Sequence, residues 1–200
     1  MSSSNLIRWA AFGALLSGVA WIAAGLLSLA YPQPPSGSSY SLVNYLGTAA
    51  ISIAYLGVLM GLVGIHLRQS GSYGMMGTIG FLLSFIGTAL AFVGQATSAI
   101  FPQSGALNWL FNNPGFLFLI ALLLFVVGLV ILGISTLRAG VMPRWSGFAL
   151  IGLVVLGFVG AIGWILSGLV WLALGYVLLT GSRATAQQPS RVVCISEKTS

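Results

Sequence analysis

Five stretches of this chain hold no Asp, Glu, Lys or Arg: residues 9–30, 42–67, 74–100, 114–137 and a last one of 35 residues, 146–180. An α-helix needs about 20 apolar residues to cross the roughly 30 Å hydrocarbon core of a bilayer. Each of the first four stretches is long enough to cross once. As a single helix the fifth would be about 52 Å long at 1.5 Å per residue, far more than the core is thick. It is therefore expected to fold back as two shorter spans, 146–161 and 164–180. The turn is placed near Gly160-Ala161-Ile162-Gly163, and Trp164 at the interface where tryptophans collect. The fold class that follows is an all-α integral membrane protein of about six transmembrane helices.

The composition agrees. Hydrophobic residues make up 58% of the chain and charged ones 4%, and the mean hydropathy is +1.06. A soluble domain carries about 25% charged residues, so the solvent of this chain is lipid. The seven cations then report topology. Arg8 precedes the first span, Arg68 follows the second, Arg138 and Arg144 separate the fourth from the fifth, and Arg183, Arg191 and Lys198 lie in the polar tail, 181–200. The linkers 31–41 and 101–113 carry no charge. Six crossings put every cation on one side, whereas five would put those of the tail on the other. By the positive-inside rule both termini are expected in the cytoplasm of a cell with an inner membrane. Scattered singly at span ends, these cations form no patch for nucleic acid. The first span is expected to be a retained anchor, because it exceeds the 7–15 apolar residues of a cleaved signal.

A shift of 70 residues superposes Tyr31-Pro32-Gln33 on Phe101-Pro102-Gln103, Leu67-Arg68 on Leu137-Arg138 and Gly77 on Gly147. Arg8-Trp9 also resembles Arg144-Trp145. The pattern reads as three tandem helical hairpins in parallel orientation.

Lipid tails are as apolar as leucine, so transmembrane helices associate where small residues let backbones approach. The third span has Gly77, Gly80, Ser84, Gly87, Ala91, Gly94 and Ser98 at alternating spacings of 3 and 4. The second has Gly47, Ala50, Ala54, Gly57, Gly61 and Gly64, and the first Ala10, Gly13, Ser17, Ala20 and Ala24, spaced the same way. This 3.5-residue period predicts left-handed crossings and a tight bundle of the first three spans.

The sequence excludes more chemistry than it offers. Ionisable residues inside a membrane mark proton relays, ion paths and voltage sensors, and no span interior holds a charged one. The single acid, Glu197, rules out a carboxylate pair within the chain for general acid–base work. A metal site with several His, Cys or carboxylate ligands cannot be assembled from one His, one Cys and that acid. The lone cysteine, Cys194 in the tail, precludes an internal disulfide. His66, near the end of the second span, reads as an interfacial histidine or, more sharply, as an axial ligand to a haem or chlorophyll-type pigment. Asn44, Thr48, Ser52 and Tyr55 on the second span and Gln95 on the third are candidates for a small polar cavity, or for hydrogen bonds between helices.

The run Leu137-Arg138-Ala139-Gly140-Val141-Met142-Pro143-Arg144-Trp145, followed by an apolar hairpin ending in Leu174-Gly175-Tyr176, resembles small polytopic bacterial membrane proteins with no assigned activity. The resemblance covers the last third of the chain and implies a bacterial inner-membrane protein. Taken together, the expectation is a non-enzymatic structural or accessory subunit whose partners are the bilayer and other membrane-protein subunits. A carrier of a neutral or lipid-like molecule is the alternative, and a haem- or chlorophyll-associated subunit the second.

Overall fold

A computed structural model describes residues 3–31, 42–100 and 116–186. The two uncharged linkers, the polar residues beyond 186, Cys194 and Glu197 lie outside the described residues, as does the side chain of Ser98. Among those described there are six helices and no strand: α1 (Ser3–Ala30), α2 (Leu42–Gln69), α3 (Gly74–Ile100), α4 (Phe116–Ala139), α5 (Arg144–Leu156) and α6 (Ala161–Ala186). Lipid offers backbone amides and carbonyls no partners, so each segment satisfies them internally as a helix. Five helices are long and apolar enough to cross a membrane.

Turns form where the sequence supplies glycine. Gly74, Gly140 and Gly160 have φ of 60°, 64° and 69°, a left-handed conformation that costs a residue with a Cβ. They fall at the α2–α3, α4–α5 and α5–α6 junctions. The last reverses the 35-residue run earlier than its length suggested. α5 ends at Leu156, Gly157–Gly160 form the turn, and α6 starts at Ala161. The two arms are unequal. With 13 residues, α5 is about 20 Å long, well short of the hydrocarbon core. Trp164 lies within the first turn of α6, its ring 6.0 Å from that of Trp21.

The helices pack as two units of three. In one, α1 lies between α2 and α6; in the other, α4 lies between α3 and α5. The units meet along an α2–α3 contact, less extensive than α1–α2, α1–α6 or α3–α4 but comparable to α4–α5, and α5 and α6 only brush each other. This departs from the tight bundle of the first three spans expected from their seams, because α3 turns its seam to α4. The first two helical pairs are packed hairpins, whereas the arms of the third lie on different neighbours, α5 on α4 and α6 on α1. Trp171, Leu62, Ile65, Leu129, Leu132, Leu150, Leu174 and Leu178 fill the middle and are almost wholly buried. Met75, Phe116, Phe148, Phe158 and Tyr176 face outward, as suits a molecule dissolved in lipid.

Candidate functional site

The small residues take positions where backbones nearly touch. A Cβ at Gly87 would sit 2.5 Å from the Phe125 nitrogen and 2.7 Å from the Ala121 carbonyl oxygen, and one at Gly80 2.7 Å from the Leu132 nitrogen. Ser84 lies against Gly128, so α3 meets α4 over three successive turns. On α2, Gly57 lies against Gly13 and Ser17, Gly61 against Trp171 and Ala14, and Gly64 against Ala10 and Leu178. The Ser17 hydroxyl donates to the Ala54 carbonyl at 2.9 Å, joining α1 to α2. Gly77 serves a different neighbour: its bare Cα admits the Tyr73 ring from the preceding turn. Ala91 is half-buried and Gly94 buried, while Gly47 has open space beside it.

A second small face was missed from sequence. Gly18 and Gly25 of α1 meet Gly168, Leu172, Ile165 and Ala161 of α6, and Gly175 meets Leu15. Its signal was present as a strict spacing of seven, in Ala11, Gly18 and Gly25 and again in Ala161, Gly168 and Gly175.

The polar residues of α2 are arranged along the helix rather than around a shared space. The Thr48 hydroxyl donates to the Asn44 carbonyl and the Ser52 hydroxyl to the Thr48 carbonyl, both at 2.9 Å. These hydroxyls are satisfied by their own helix. Tyr55 packs edge-on against Trp21, the ring centroids 5.4 Å apart. Asn44 and Gln95 are half-buried, and no hydrogen bond joins Gln95 to α2 among the described residues. The five candidates are therefore not brought together into one polar group.

A tighter polar group forms at the other end of α2, where Arg8, Arg68, Arg138 and Arg144 also lie. His66 stacks on Phe81 with centroids 4.2 Å apart and planes at 19°. Its Nδ1 is hydrogen-bonded to the Tyr73 hydroxyl. Burial pushes the Tyr73 phenol up to about 12, so it stays protonated and can donate. Either partner can be the donor in this bond, and the tautomer of His66 follows from which one is. The one histidine that could hold a haem or chlorophyll-type pigment is thus engaged on one nitrogen and covered on one face. Arg68 donates from Nη1 to the Val177 carbonyl of α6 at 2.7 Å. Gln69 is completely buried and accepts from the Thr136 hydroxyl at 3.0 Å, while its Nε2 has no partner.

Gln69, Tyr73 and Thr136 also escaped the sequence reading. Gln69 falls outside the expected span 42–67, yet it continues the buried face Val58, Leu62, Ile65 by one more step. Comparison with protein-family models, curated proteins and solved structures gives no match to this chain. Its function therefore has to be read from its own geometry.

Proposed function

We propose that this is a non-enzymatic, multi-pass protein of a bacterial inner membrane, with both termini in the cytoplasm, acting as a structural or accessory subunit beside other membrane proteins. The observation that carries the reading is the buried apolar cluster. Among the described residues Trp171, at 2% exposure, belongs to one cluster with Leu62, Ile65, Leu132 and Leu174. Outward the molecule offers a continuous apolar exterior from all six helices. The orientation is supported by Arg8, Arg68, Arg138 and Arg144 at one end, which the positive-inside rule assigns to the cytoplasm.

The test is purification of the tagged full chain in a mild detergent, with identification of everything that accompanies it. A stoichiometric membrane-protein partner, retained by the His66→Ala variant, is the expected result. Isolation of the chain with lipid alone, or with a pigment band lost in that variant, would replace this reading with one of the ligand-binding alternatives.

A further inference from the structure

We infer that the two three-helix units are separable rigid bodies that part at the arginine-bearing end of their seam, where Gln69 meets Thr136. Three observations converge. The first is where the backbones touch. The described glycines whose Cβ would meet the backbone of another helix, among them Gly18, Gly57, Gly87 and Gly133, do so inside a unit. Gly163 alone touches the other unit, at Leu156 beside the α5–α6 turn. Contacts at that distance leave no slack for sliding, so each unit is stiff. The seam between units is made by side chains, His66 on Phe81 and Gln69 on Thr136, which change rotamer without moving a backbone.

The second observation is the state of Gln69. It makes a side-chain hydrogen bond between the units, to Thr136. Its Nε2 is buried and unpartnered. A buried donor without an acceptor destabilises the closed seam, and water would satisfy it once the seam parts. The closed arrangement therefore carries its own bias towards opening at this point.

The third is the connectivity. The units are joined by two described links, the α2–α3 turn at Ser70–Tyr73 and the α5–α6 turn at Gly157–Gly160. Gly74 and Gly160 border them in left-handed conformation. Short links with a glycine at one end are where a hinge absorbs its dihedral change.

The experiment uses the full chain in lipid nanodiscs, with Cys194→Ser as background and a small water-soluble methanethiosulfonate reagent. Single cysteines are placed at Thr136 and at Ser146. Ser146 is fully buried at the same end of the bundle but inside one unit. Thr136→Cys should react about ten-fold or more faster than Ser146→Cys. Gln69→Leu, which removes the unpaired amide, should slow the reaction at Thr136→Cys by about ten-fold. Thermal unfolding of each variant shows whether it is folded. Equal rates at the two positions, or a rate at Thr136→Cys indifferent to Gln69→Leu, would overturn the proposal.

Discussion

A methyl group is enough to separate α3 from α4. Added at Gly87 it would lie 2.5 Å from the Phe125 nitrogen, and backbone has nowhere to turn. Gly87→Ala should lower stability by about 1–3 kcal/mol, as overpacking does elsewhere. Gly152→Ala, which meets open space, should be neutral or better, since alanine is the stronger helix former. Thermal unfolding in detergent separates the two, and equal shifts would mean that the α3–α4 contact is not tight. At Tyr73 the argument runs through protonation. The unfolded phenol ionises near 10 and the folded one near 12, so the unfolded state loses its proton first. Stability should be indifferent to this group below pH 10 and fall between pH 10 and 12. Tyr73→Phe should flatten that part of the melting-temperature profile. The periodicity showed which residues line a small face but not which helix comes to meet it. The partner is chosen by the whole packing arrangement. Gln69 was hidden differently, because a polar residue next to an arginine reads as linker until its place on the Leu62–Ile65 face is followed outward.

Among the elements, α1 is the most enclosed, with small residues on one face for α2 and on another for α6. Gly168 is where the second face closes most tightly: an added Cβ would lie 2.5 Å from the Gly18 carbonyl oxygen. Gly168→Leu should free α6 from α1 and broaden the protein's peak on gel filtration after mild heating. Gly47→Leu, beside open space, should leave the peak sharp. That the 35-residue run must reverse followed from length alone, since no 52 Å helix fits the bilayer. Its unequal division did not follow. Both Gly157 and Gly160 can end a helix, and the choice rests on α6 needing its full length along α1.

For the whole molecule the legible part was the distribution of charge. Arg8, Arg68, Arg138 and Arg144 carry their own topological information, and the helix directions bring them to one end without any need of side-chain detail. The expected labelling pattern uses described positions at opposite ends. In intact cells with Cys194→Ser, Tyr31→Cys should react with a membrane-impermeant thiol reagent and Ser70→Cys should not. Reaction at Ser70→Cys and not at Tyr31→Cys would invert the proposed orientation. The arrangement into two units was not legible, because it depends on how extensive the contacts are, and apolar sequences of similar composition give no ranking of their neighbours.

The 13-residue α5 has a consequence for the bilayer as well as for the protein. A helix of about 20 Å against a core of about 30 Å is a case of hydrophobic mismatch confined to one side of the molecule. On that side lipid must thin or tilt to follow the Gly157–Gly160 turn, while beside α3 and α4 it can keep its full depth. The expected outcome is a membrane whose thickness varies around the protein's perimeter. That deformation costs fractions of a kcal/mol per ångström and is relieved by shorter acyl chains, or by a neighbour that covers the short side.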